Sequence, residues 1–261
     1  MQFKLKRMII DTHCHLYLDE YKNDITQVMD RAEATGIKKF YLPGIDSTEI
    51  DNMLLLEEKF PEKCFAMMGL HPCSVKENFQ DELTIVKKWL AKRKFAAVGE
   101  IGLDFYWDKT FTIQQYDAFR IQIELALQYK LPIVIHTRNA LQETIDVVKE
   151  YAPKGLRGIF HCFGGNYENA KAIIDAGFYL GIGGVLTYKK SGLAEVLDKI
   201  DLKYLVLETD SPYLAPVPFR GKRNECSYIK YVVEKLAGIK NVSEKEVADI
   251  TSSNAEKIFG L

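Results

Sequence analysis

Met8-Ile9-Ile10-Asp11-Thr12-His13-Cys14-His15 passes from an apolar run to two histidines spaced i, i+2. On an extended chain, alternate side chains share a face. His13 and His15 then point one way, with Asp11 one step below them, and Cys14 points the other way. Two neutral imidazoles on one face can hold a cation. By itself the pair reads equally well as two hydrogen-bonded structural histidines. The rest of the chain decides between these readings.

Seven more short apolar runs follow, at 39–42, 64–69, 96–100, 132–136, 158–161, 178–183 and 204–209. They are rich in Val, Ile and Phe and bounded by Gly or Pro, as parallel strands covered on both faces should be. Helix-like stretches lie between them near 23–35, 47–59, 81–93, 113–129, 140–151, 167–176 and 190–199. A closing helix is expected over 243–259, with Ser243 as N-cap and Glu246 as its capping-box partner. Eight strand–helix repeats in a chain of 261 residues predict an α/β fold, one (β/α)₈ TIM barrel of the metal-dependent hydrolase type spanning 1–261. The competing doubly wound sheet loses ground in its nucleotide-binding forms. The first strand is followed by no Gly-x-Gly-x-x-Gly turn, and there is no Walker lysine.

The formal net charge of -1 argues against a protein that grips nucleic acid or membrane over its whole surface. Any nucleic-acid substrate is held locally. Five cysteines, an odd number without a Cys-x-x-Cys pair, fit reduced thiols and a cytoplasmic protein. The basic, only partly apolar start differs from a signal peptide, and no apolar run is long enough to span a bilayer.

The polar residues fall at one end of the expected barrel. His13 and His15 end the first run, His71 follows the third, and Glu100 ends the fourth. His136 ends the fifth, His161 the sixth, and Asp210 the eighth. All five histidines thus lie at strand C-termini, the end that carries the active site in a barrel. Each alone could cap its strand by bonding a carbonyl. Together with two acids on one rim, they would leave buried polar groups and charges unpaired without a cation. The six groups His13, His15, Glu100, His136, His161 and Asp210 are too many for one tetrahedral site. A carboxylate has two oxygens, so Glu100 can bridge two divalent cations. One cation is assigned to His13, His15, Glu100 and Asp210, the other to Glu100, His136 and His161. Mixed nitrogen and oxygen donors suit Zn, Mn, Fe or Co, and Mg less well. A water between two such ions becomes a nucleophile near neutral pH. Glu100, and Asp210 as general base, are the expected catalytic residues.

Other residues keep two readings. Arg138 can meet a substrate phosphate or close a salt bridge across the rim. Arg220, Lys222 and Arg223 can grip phosphates, or Arg–Glu pairing can hold their loop for structural reasons. Glu208 is expected one layer below Asp210. Cys14 and Cys162 alternate with ligands and are expected to pack outward beneath the helices.

These residues carry a resemblance. The motifs Asp11-Thr12-His13-Cys14-His15, Gly69-Leu70-His71-Pro72, Gly99-Glu100-Ile101-Gly102-Leu103-Asp104, His136-Thr137-Arg138, His161-Cys162-Phe163, Glu208-Thr209-Asp210-Ser211-Pro212 and Arg220-Gly221-Lys222-Arg223-Asn224-Glu225 resemble, in order, those of the TatD family of metal-dependent deoxyribonucleases. The resemblance covers essentially the whole chain. It implies a TIM barrel, a divalent metal centre with the same six ligands, and hydrolysis of DNA phosphodiesters as an exonuclease on single-stranded or frayed ends. It also suggests substrate-binding roles for His71, Arg138, Arg220, Lys222 and Arg223, with no obligatory protein partner. Cys73, Asn139, Gly164 and Cys226 depart from the usual pattern, and none is an expected ligand. An amidohydrolase or lactonase acting on a small molecule is the alternative. Many such barrels bridge their metals with a carboxylated lysine, whereas here Glu100 supplies the carboxylate. A non-catalytic metal-binding scaffold is the other alternative, against which the complete ligand set argues.

Overall fold

The structure, a computed structural model, describes residues 8–260. Eight parallel strands run in chain order: β1 (Ile9–Asp11), β2 (Ile37–Leu42), β3 (Cys64–Ala66), β4 (Val98–Asp104), β5 (Ile133–Arg138), β6 (Gly158–Phe160), β7 (Phe178–Ile182) and β8 (Leu205–Leu207). Helices α1 (Ile25–Ala34), α2 (Ile50–Lys59), α3 (Phe79–Lys92), α4 (Thr112–Tyr129), α5 (Leu141–Tyr151), α6 (Tyr167–Asp175), α7 (Leu193–Asp198) and α8 (Ile229–Lys240) alternate with them, and α9 (Glu244–Phe259) is an addition. The (β/α)₈ barrel is laddered as two sheets, β1–β3 and β4–β8. Individual hydrogen bonds join the two seams. Met68 N–H donates to Ala97 O at 3.2 Å on one side, and Thr12 N–H donates to Leu207 O at 3.0 Å on the other.

The strands are apolar throughout because each buries both faces. Ile10, Tyr41, Met67, Ala97, Val134, Ile159 and Val206 form one buried cluster, the filling of the barrel. Their strand neighbours, among them Ile9, Phe40, Val98, Ile135, Phe160 and Leu207, belong to the larger cluster beneath the helices. This period-two division makes register strict, since a one-residue slip would exchange the two sets. Burying one such large side chain stabilises the fold by about 1.5–3 kcal/mol.

Helix α9 closes the end of the barrel opposite the site. Its Ala255 and Ile258 join the filling, and Phe259 stacks on Tyr41 with ring centroids 3.7 Å apart. Ser243 caps it by accepting the Glu246 N–H at 3.1 Å. No helix among the described residues is long and apolar enough to cross a membrane.

Two elements differ from expectation. Strand β4 continues past its apolar run to Asp104, paired against Arg138 of β5. Helix α8 has no counterpart in the sequence reading, which places no element between the run at 204–209 and the helix at 243–259.

Candidate metal centre

Strand β1 ends at Asp11, so His13 and His15 lie just past the ladder. Backbone bonds to the segment after β8 hold them: Asp210 N–H donates to His13 O at 2.9 Å, and His15 N–H to Ser211 O at 2.7 Å. These bonds bring Asp210 against both histidines. Strand alternation does not survive the end of the ladder. Asp11 turns away from the histidines to group with Cys14 and Cys226, and accepts the Thr209 hydroxyl at 2.6 Å and the Thr209 N–H at 3.0 Å. Burial pushes its carboxyl up to about 7, against the opposing pull of these bonds. Asp11 thereby pins the β8 segment beside β1.

Glu100 stands at the centre and its two oxygens face different partners. Oε2 lies 3.0 Å from His13 Nε2 and 3.6 Å from His15 Nε2. Oε1 lies 2.9 Å from His136 Nδ1 and 3.0 Å from His161 Nε2. Asp210 Oδ1 completes the first group, 3.6 Å from both His13 Nε2 and His15 Nε2. His13 and His161, one from each group, stack with centroids 3.9 Å apart. Burial would raise the Glu100 carboxyl, but the imidazoles of His161, His13 and His71 overcome it and hold Glu100 well below the usual range. Burial raises Asp210 to about 7, with His161 and His13 opposing.

Behind these groups stand two further carboxylates. Asp104 Oδ2 lies 2.9 Å from His136 Nε2, and Glu208 Oε1 lies 3.4 Å from His161 Nδ1. A carboxylate on the far nitrogen fixes the ring and its tautomer. Glycines make room for this. A Cβ at Gly102, whose φ is +145°, would meet His136 O at 2.0 Å, and one at Gly181 would meet Glu208 Oε2 at 2.2 Å. The position of Glu208 agrees with the sequence reading. The sequence reading assigns Asp104 no role, although its spacing from Glu100 puts both on one face of an extended β4.

The centre opens into a cavity of about 980 Å³ lined in part by His71, Arg138, Arg220 and Lys222. His71 Nε2 comes within 3.5 Å of Glu100 Oε1, so this histidine sits at the edge of the centre itself. Arg138 lies over the Tyr106 ring, 3.8 Å from its centroid, and Arg220 lies over Tyr188 at 4.5 Å. Arg223 points elsewhere: its guanidinium is 2.6 Å from Asp24 Oδ2 and also donates to Glu20 O. Cys14 is buried in the outer core as expected. Cys162 instead lines the cavity, because β6 ends at Phe160 and Cys162 turns into the left-handed region at φ 47°.

The donor set fits cations. His13 Nε2 and His15 Nε2 face each other at 3.3 Å, with carboxylate oxygens from Glu100 and Asp210 beside them. Lone pairs crowded at one point in a buried cleft are all satisfied at once by a positive ion. His13, Glu100 and His161 form a second such group.

The family described as TatD related DNase matches residues 10–260. The chain is 38% identical over 255 residues to the uncharacterized metal-dependent hydrolase YabD of Bacillus subtilis, covering 97% of this chain and 100% of that one. It is 29% identical over 259 residues to the 3'-5' ssDNA/RNA exonuclease TatD of Pantoea ananatis, covering 97% and 100%. Among solved structures, the TatD homologue YJJV of Escherichia coli superposes with a TM-score of 0.91 at 28% identity, covering 97% of this chain and 98% of that one. The chain therefore belongs to the TatD family of metal-dependent hydrolases.

Proposed function

We propose that this enzyme is a dinuclear phosphodiesterase that removes nucleotides from single-stranded or frayed DNA ends. The observation that carries the reading is the division of Glu100 between two histidine groups, Oε2 toward His13 and Oε1 toward His136 and His161. His13, His15 and Asp210 would hold one divalent cation and His136 and His161 the other, with Glu100 offering one oxygen to each group. When bound, the two ions supply Lewis acidity, making a water acidic and neutralising charge on the phosphate.

The chain's own groups do the rest. Asp210, which lines the cavity, takes a proton from the attacking water as its oxygen bonds to phosphorus. The bond from phosphorus to the leaving sugar oxygen breaks, and that oxygen receives the proton. Arg138, Arg220 and Lys222 supply positive charge along the cavity for neighbouring phosphates. Asp104 and Glu208 keep two ligand rings oriented. The exonuclease name of the Pantoea ananatis relative supports nucleic acid as substrate. Five free thiols fit a reducing compartment, the cytoplasm.

The test is metal content measured beside nuclease rate, on end-labelled single-stranded DNA, duplex and RNA, for Glu100→Gln and Asp210→Asn. Glu100→Gln is expected to lose one metal and orders of magnitude in turnover while staying folded. Asp210→Asn is expected to lose turnover with a smaller loss of metal. A Glu100→Gln protein with two metals and near-normal activity would overturn the bridge. Turnover of lactones or amides but no nucleic acid would move the chain to the small-molecule alternative.

A further inference from the structure

The cavity mouth carries an aromatic pair that the metal chemistry leaves unused. Tyr106 and Trp107, on the loop after β4, are 50% and 67% exposed. Burying an indole is favourable, so so large an exposed face is costly unless something covers it. This loop is braced. Asp104 Oδ1 accepts the N–H groups of Tyr106 at 2.9 Å and Trp107 at 3.0 Å. Gln115 of α4 bonds both the N–H and the C=O of Asp104, at 2.8 and 3.1 Å, and Lys76 pairs with Asp108 at 2.8 Å. The backbone that carries the rings is thus held in place, and the same Asp104 touches the ring of His136.

Position and charge say what would cover them. Trp107 lines the cavity that holds Glu100 and Asp210. The Arg138 guanidinium lies 3.8 Å from the Tyr106 centroid and 5.2 Å from that of Trp107. Arg220 and Lys222 line the same cavity. A planar apolar face flanked by a cation, with further cations along one groove, matches a chain of alternating bases and phosphates. We propose that Trp107, supported by Tyr106 and Arg138, is a stacking platform for an unpaired nucleobase next to the phosphate being cut. The inference rests on the phosphodiesterase reading and adds how single-stranded ends are selected. A base inside a duplex is already stacked on its neighbours and would have to be pulled out to reach the indole.

Trp107 is one of two tryptophans, beside the partly buried Trp89, so it reports its own occupancy. The experiment uses the whole 261-residue chain in EDTA, with intrinsic fluorescence and binding of an eight-residue oligothymidylate, about the span of one single-strand site. The control is an oligomer of the same length whose sugars carry no bases. Quenching by oligothymidylate and none by the abasic chain is expected, with the quench absent in Trp107→Phe. Trp107→Ala should weaken oligothymidylate binding by roughly 5- to 150-fold, the range for one stacked base, while leaving abasic binding alone. Trp107→Phe should restore most of the affinity. In metal-reconstituted protein Trp107→Ala should raise KM on single-stranded DNA and barely change kcat. If the wild type binds both oligomers equally, without a quench, the platform is refuted and the nuclease reading stands. Binding of neither oligomer, together with no cleavage of DNA or RNA, would remove both.

Discussion

Asp104 Oδ2 approaches His136 Nε2 to 2.9 Å, on the side of the ring opposite the 2.9 Å contact between His136 Nδ1 and Glu100. Burial pushes the Asp104 carboxyl up, but His136 and the N–H groups of Trp107 and Tyr106 more than offset it and hold Asp104 well below the usual range. An anion there makes the Nδ1 lone pair a better donor and keeps it aimed at the centre.

Asp104→Asn keeps an oxygen for the loop N–H groups but removes the charge. It is expected to weaken metal binding at the His136 side by about 10- to 100-fold, with the fold intact. Competition against a chelator of known affinity measures this. Unchanged affinity would reduce Asp104 to a loop brace.

The barrel was legible because its strands are apolar on both faces and its helices are not. The gathering of His13, His15, Glu100, His136, His161 and Asp210 was legible because each follows an apolar run, and a C-terminal strand end has a known meaning in a barrel. What was missed lies where periodicity stops. Asp104 falls beyond the apolar part of β4, and the extension of the ladder to Arg138 carries it to the His136 ring. Asp11 and Cys162 were placed by alternation, yet Asp11 is the last residue of β1 and Cys162 lies two past the end of β6. Helix α8 follows a loop with three prolines, whose turn signals mask the amphipathic stretch beyond.

The basic loop after β8 splits into two roles. Arg220 and Lys222 line the cavity, whereas Arg223 is committed to Asp24 by two hydrogen bonds, at 2.8 and 2.6 Å. Each lost phosphate contact should reduce the slope of log binding constant against log salt by about 0.7 on single-stranded DNA. Arg220→Ala and Lys222→Ala are each expected to flatten the slope by that amount. Arg223→Ala should leave the slope alone and lower the melting temperature by about 1–4 °C, the reach of one partly exposed pair in a protein of this size. Titrations at four salt concentrations, beside thermal melts, separate the roles. A flattened slope in Arg223→Ala would return that residue to the phosphate grip.

Acid should loosen the same loop. Glu225 is buried and pairs with Arg31 through contacts of 3.0 and 2.6 Å, and the Ser227 hydroxyl also donates to it. Burial raises its carboxyl, but the Arg31 and Ser227 bonds outweigh this and set it below the ordinary glutamate value. A carboxyl whose folded pKa is depressed gives stability that is fully present above its unfolded value, near 4.3, and is lost as pH falls through the folded value. Asp24, lowered by Arg223 and then Arg31, acts in the same direction. The stability that these two carboxyls contribute should therefore hold from neutral pH down to about pH 5 and then be lost through the range below 4.3. Glu225→Gln keeps the shape but removes the charge that Arg31 meets. Its melting temperature should be lower at pH 7 and should fall less between pH 5 and pH 3 than that of the parent protein, so that the two curves converge in acid. Parallel curves across that range would mean that the Arg31 pair contributes nothing that depends on the ionisation of Glu225.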